Sequence, residues 1–258
     1  MMNWPLYLYG LAAISTLAFA GWLISLVRNN VTHVDSLWSL FLAVAAYAYA
    51  LNAEAFNSRI YLMLFLVTLW AIRLSAYLTW RNWGPHEDHR YAAIRKNNSP
   101  YFWLKSLYIV FGLQAVLAWI ISLPLLGAVA NAPATLTLLD VLGGLLFTFG
   151  FVWQTVADWQ LSIFKANPSH RGQVLRSGLW RYSRHPNYFG ESCIWWGFYC
   201  IALSAGAWWS VVSPVLMTLL LLKVSGVALL EKDIAERRPD YVSYRQNTNA
   251  FFPWRPKG

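Results

Sequence analysis

Long apolar runs broken by short polar segments set the pattern of this chain. The first covers residues 4–27 and stops at Arg28-Asn29-Asn30; the next three cover about 33–51, 60–80 and 101–124. Three more lie at about 136–157, 188–203 and 208–230, the last two separated by Ser204-Ala205-Gly206-Ala207. A helix needs about 20 apolar residues to cross the hydrocarbon core of a bilayer. The pattern therefore predicts an all-α polytopic membrane protein with about seven transmembrane helices. Ala18-Phe19-Ala20 resembles a signal cleavage site, but residues 1–10 carry no basic residue and the apolar run continues past it. The first run is expected to be retained as a span.

The polar segments give the spans a direction. With the N-terminus outside, all of the 20 Lys and Arg except Arg59, Arg73 and Lys223 fall on the inner side. They sit in residues 81–105, 158–187 and the tail from 231, together with Arg28. Basic residues concentrate in cytoplasmic loops, so the C-terminus is expected in the cytoplasm. Residues 1–125 are expected to form an N-terminal set of helices around a cavity for a lipid substrate. Residues 136–258 are expected to form a C-terminal set carrying the cofactor, within one integrated bundle.

Composition agrees with the membrane reading. Of the 258 residues 58% are hydrophobic and only 12% charged, about half the charged share of a soluble domain. Mean hydropathy is +0.40, and the 16 Trp and 14 Tyr suit repeated contact with lipid headgroups. The net charge of +9 is explained by the loop bias and does not call for nucleic acid. Cys193 and Cys200 both fall in an apolar run and suggest neither a disulfide framework nor a metal site. No Gly-rich dinucleotide fingerprint or phosphate-binding loop is present.

Ionised groups are costly in hydrocarbon and normally face a bundle interior with partners. Asp35, Arg73, Asp158, Glu191, Lys223 and Glu231 are the positions where this applies, and Lys223, midway along its run, is expected to need a carboxylate. The densest chemistry lies in RSGLWRYSRHPNYFGE, residues 176–191, preceded by the donor-rich stretch 158–171. Its arginines match phosphate or carboxylate geometry, and Tyr182, Asn187, Tyr188 and Asp158 are groups that read ribose and amide edges. His185-Pro186 bends the chain before a helix whose first N–H groups can face an anion. The tail, EKDIAERRPDYVSYRQNTNAFFPW, repeats the acidic, basic and aromatic mixture and is expected to fold back over a ligand.

These two segments resemble the C-terminal half of the steroid 5-alpha-reductase family. With VDSLWS at 34–39 and RNWGPHEDHRY at 81–91, nearly the whole chain resembles a bacterial branch of membrane proteins related to it. The resemblance implies an inner-membrane reductase that binds NADPH from the cytosolic side and reduces a C=C bond of a steroid-like or other lipid enone. It implies cofactor contacts at Gln154, Asp158, Lys165, Arg181, Tyr182, Asn187, Glu191 and Arg245, with His185, Tyr188, Glu231 and Tyr244 beside them. The family's ketone-holding Gln-Glu pair has no clear match, since Ala53 precedes Glu54. Arg73, Tyr77 and Tyr91 are the candidates to polarise the substrate oxygen, with Asp35 orienting one of them. The pattern Arg-His-Pro-x-Tyr-x-Gly also resembles integral membrane methyltransferases, which implies S-adenosylmethionine as the alternative cofactor, with Glu231, Tyr241 and Tyr244 shaping its pocket. The long donor-rich stretch from Asp158 suits a diphosphate-containing ligand better.

Overall fold

The computed structural model describes residues 2–130, 135–224, 227, 231, 234 and 238–257. Every regular element among them is helical, in two compact units. The first comprises Met1–Asp140 with Ile201–Ser210, the second Val141–Cys200 with Val211–Gly258.

In the first unit α1 spans Trp4–Arg28, α2 Val34–Leu51 and α3 Ser58–Arg81. Side-chain caps set their starts. Asn3 accepts from the amide of Leu6 at 3.1 Å, and Asn57 accepts from those of Arg59 and Ile60 at 3.0 and 3.1 Å. Each satisfies backbone donors that a helix start leaves open. α1 ends where Asn29 takes a left-handed conformation, φ 47°, as helix ends commonly do. A short helix α4, His89–Asn97, is capped by Asp88. α5 runs from Phe102 to Ile121 with a π-helical stretch at Leu107–Gly112, and α6 covers Leu123–Ala130. The core of this unit holds Phe41, Leu42, Tyr49, Met63, Trp70 and Phe111, all fully buried. Tyr7 and Trp119 stack at 4.2 Å and each donates to the other's backbone carbonyl at 3.0 Å. Buried Tyr and Trp place their polar atoms this way.

The second unit is built on α7, Leu138–Ala166, and α8, Pro186–Ser204, whose terminal residues extend into the first unit. Glycines bring the two helices together. A Cβ on Gly150 would stand 2.6 Å from the carbonyl oxygen of Gly190, and one on Gly197 2.7 Å from that of Gly143. Small residues allow this backbone approach in membrane bundles. The described part of α9, Trp208–Lys223, is apolar, and α10, Tyr241–Asn247, lies in the tail.

Among the described residues five helices, α1, α2, α3, α5 and α7, are long and apolar enough to cross a membrane, and the described part of α9 is a further apolar stretch. α8 has 19 residues but carries Asn187, Glu191 and Ser192 and is not among the five. Apolar side chains such as Phe65, Ile72, Leu145 and Val152 are exposed, as lipid-facing surface requires. The protein is thus an all-α polytopic membrane protein. Two expectations about charge change. Lys223 lies in α9 with its side chain exposed, so it is not buried against a carboxylate. Arg59 is fully buried in the first turn of α3, bonded to Asp140 at 2.7 and 2.9 Å. Asp140 also accepts from Ser204 at 2.6 Å and from the amide of Thr137 at 2.7 Å, while Arg59 reaches the Thr135 carbonyl at 2.9 Å.

Candidate functional site

The second unit collects most of the candidate chemistry. α8 begins at Pro186, whose fixed φ suits the first helical position. The residues just before it are tied to the tail by backbone bonds. Arg184 donates its amide to the Asn249 carbonyl at 2.9 Å, and Trp254 donates to that of Tyr182 at 3.0 Å. Ser183 donates its hydroxyl to the Phe251 carbonyl at 2.9 Å. Tyr244 donates to the carbonyl of Trp180 and, at 3.3 Å, to that of Ser183. Segment 180–185 and the tail therefore form one hydrogen-bonded body.

Its centre is Glu231. Arg184 binds it through two hydrogen bonds, 2.8 and 3.0 Å. His185 Nε2 and the Tyr241 hydroxyl reach the same carboxylate at 2.9 Å each. Arg184 spends its remaining donors on the carbonyls of Arg245 and Thr248, at 3.1 and 2.5 Å. Burial alone would raise the pKa of Glu231, but the bonds from His185, Arg184 and Tyr241 outweigh it and hold the value at about 2. Burial pushes the Tyr241 hydroxyl well up, and the neighbouring carboxylate adds to this. The His185 ring stacks on Tyr188 at 5.5 Å, the two planes 4° apart.

Two further polar pairs join α7 to α8. Gln154 donates to Glu191 at 2.7 Å, and Glu191 also accepts from the Trp195 indole at 3.0 Å. Asn187 donates to Asp158 at 3.1 Å. Gln154, Asp158 and Glu191 are all buried. Residues 154, 158 and 165 repeat at intervals that place them on one face of α7, about 16 Å from end to end at 1.5 Å per residue. Lys165 lies at the exposed end of that stripe and lines a half-open cleft of about 300 Å³.

The remaining cofactor candidates sit differently. Arg181, Tyr182 and Arg245 expose their side chains, and Tyr244 is buried with its hydroxyl committed to backbone carbonyls.

In the first unit Asp35 accepts from the Tyr91 hydroxyl at 2.6 Å and from Arg90 at 2.7 Å. Arg90 is held in turn by Asp88 at 2.9 Å. Burial and then the Asp35 charge raise the Tyr91 pKa, so it stays a neutral phenol. Arg73 lies over the Tyr77 ring at 5.4 Å, one turn away on α3. The four catalytic candidates thus appear as an Asp35–Tyr91 pair and an Arg73–Tyr77 pair. Arg90, which completes the first, was missed because only the folded α4 brings it to α2. Its position in RNWGPHEDHRY, one residue before Tyr91, was the available signal.

A polytopic helical protein with a polar body on one unit is the class that the structure defines. The chain belongs to the family described as Protein of unknown function (DUF1295), which it matches over residues 21–248. It is similar to a Schizosaccharomyces pombe chain described as Uncharacterized protein C594.04c. The two are 27% identical over 263 residues, spanning 90% of this chain and 75% of the relative. No solved structure matches it significantly. Neither description names an activity, so the tie to steroid 5-alpha-reductases rests on the motifs in 176–191 and the tail.

Proposed function

We propose that this protein is an NADPH-dependent reductase of the C=C bond of a lipid-like enone, with seven spans and its C-terminus in the cytoplasm. The observation that supports it most is the joining of segment 180–191 to the tail around Glu231. That body sits on the unit whose α7 carries Gln154, Asp158 and Lys165 in a row.

The donor set fits the cofactor. Asp158 and Asn187 offer a carboxylate and an amide suited to ribose hydroxyls or a carboxamide, and Lys165 offers a cation for a phosphate. NADPH, when bound, would supply the hydride that adds to the β-carbon of an enone. The chain's own task is then to steady the oxygen that gains negative charge, in a preorganised site. In the first unit Tyr91 carries a proton held in place by Asp35, and Arg90 offsets the Asp35 charge. A phenol turning that proton toward a carbonyl is a suitable polarising group. Tyr77 under Arg73 is the second such phenol.

The bond between Glu231 and Tyr241 also suits the S-adenosylmethionine reading, in which this acid shapes the pocket. One labelling experiment tests both. Membranes containing the protein are given a lipid extract with NADPH deuterated at C4, or with methyl-labelled S-adenosylmethionine. Deuterium should enter a lipid C–H position and fail to do so with Asp158→Ala. Label arriving only as a methyl group would overturn the reductase reading.

A further inference from the structure

We infer that the end of the tail, residues 251–257, is a membrane-surface contact. Phe252 and Trp254 sit in the lipid interface toward the Ala166 end of α7, and Arg255 and Lys257 meet anionic lipid headgroups. The contact holds whether or not the protein binds NADPH.

A chain of rings leads from the span to the tail. Phe149 and Trp153, one turn apart on α7, have ring centroids 5.4 Å apart. Phe189, in the first turn of α8, meets both edge-on at 6.4 and 6.0 Å. Phe251 and Phe252 in turn meet Phe189 edge-on, at 5.9 and 6.1 Å. Residues 141–157 carry no charged side chain, and Trp153 lies four residues before Asp158, about 6 Å at 1.5 Å per residue. Phe252 is therefore two ring contacts from the last turns of the stretch that meets hydrocarbon. Phe149 and Val152 on that stretch are 46% and 53% exposed, so the tail continues a lipid-facing surface.

The fold holds these rings outward. The Phe251 carbonyl accepts from Ser183 at 2.9 Å, the Trp254 amide donates to the Tyr182 carbonyl at 3.0 Å, and the Lys257 amide donates to the Asn247 carbonyl at 2.9 Å. On this pinned backbone Phe251 is buried while Phe252 and Trp254 are 66% and 71% exposed, with Tyr182 also exposed beside them. A single exposed aromatic is ordinary. Several in one fixed segment, continuous with a span's apolar surface, form the aromatic belt found at membrane interfaces. Residues 250–257 also carry Arg255 and Lys257, both exposed, and no acidic residue. Rings at the acyl boundary and cations beside them complement an anionic leaflet. The ring chain favours lipid over a soluble protein partner, because Phe252 packs at a level that the bilayer already occupies.

Depth measurements on the full-length protein test this. Phe252→Cys, in a Cys193→Ala/Cys200→Ala background, is labelled with an environment-sensitive NBD fluorophore and placed in nanodiscs of phosphatidylcholine, alone or mixed with phosphatidylglycerol. Ser169→Cys, exposed and three residues beyond the end of α7, is the water-side control. Lipid carrying a doxyl quencher near the headgroup should quench the label at 252 at least twofold more than the label at 169. The quenching at 252 should increase in the discs with phosphatidylglycerol, and Arg255→Gln/Lys257→Gln should remove that increase with an unchanged melting temperature. Trp254→Cys, labelled in the same way, should behave as position 252 does, and it carries the test if Phe252→Cys does not fold. Quenching at 252 and 254 no greater than at 169 overturns the membrane contact. Quenching indifferent to phosphatidylglycerol, or to the loss of both cations, overturns the role given to Arg255 and Lys257.

Discussion

Arg184 and Glu231 are 47 residues apart in sequence and face each other through two hydrogen bonds, of 2.8 and 3.0 Å. Their side chains are 9% and 11% exposed, so the pair is largely out of water. Removing one partner of such a pair leaves the other charge buried and costs about 3–5 kcal/mol. Arg184→Ala should therefore lower the melting temperature strongly and loosen the tail, seen as faster proteolysis after residue 238. Glu231→Gln, which keeps an acceptor for Tyr241, should cost less than Glu231→Ala.

The same carboxylate sets an acid limit. Its folded-state pKa, about 2, lies below the ordinary 4.5, so folding favours the ionised form. The stability it contributes is fully present above about pH 4.5 and is lost as the pH falls toward 2. Melting temperatures measured at pH 7, 4.5 and 3 should drop in the lower interval. Glu231→Gln, less stable throughout, should lose less across it.

Arg59 and Asp140 predict a second sensitive point, in the first unit. Asp140→Ala leaves a fully buried guanidinium without its carboxylate and should cost about 3–5 kcal/mol. Ser204→Ala removes one donor to Asp140 and should cost only about 1 kcal/mol. Thermal unfolding in detergent of both variants gives the ratio.

Close approach of α7 and α8 predicts a steric effect. A side chain at Gly150 meets the Gly190 carbonyl oxygen at 2.6 Å and the Ile194 amide nitrogen at 2.8 Å. Backbone cannot move aside as a flexible side chain does, so Gly150→Val should cost about 2 kcal/mol or more. Gly144→Ala, with nothing within 4 Å, should be near neutral in the same melting assay.

Much of the helical architecture was legible because hydropathy reports what faces lipid. The ends of α1, α2 and α3 fall within a few residues of the apolar runs. The meeting of segment 180–185 with the tail could also be anticipated, because both are too polar to enter a bilayer. What the pattern hid was partnership. Arg59 looked like a loop residue outside the membrane, and Asp140 drew no notice at the start of an apolar run. Each is stabilised by the other, across 81 residues of chain. Lys223 gave the opposite error, since hydropathy does not show that its side chain is exposed.

The most direct test of the account is equilibrium binding of NADPH, NADH and S-adenosylmethionine to the purified protein, with Asp158→Ala and Asn187→Ala alongside. NADPH should bind saturably and more tightly than the other two, and both substitutions should weaken it at least tenfold without unfolding the protein. Saturable binding of S-adenosylmethionine with none of NADPH would contradict the account.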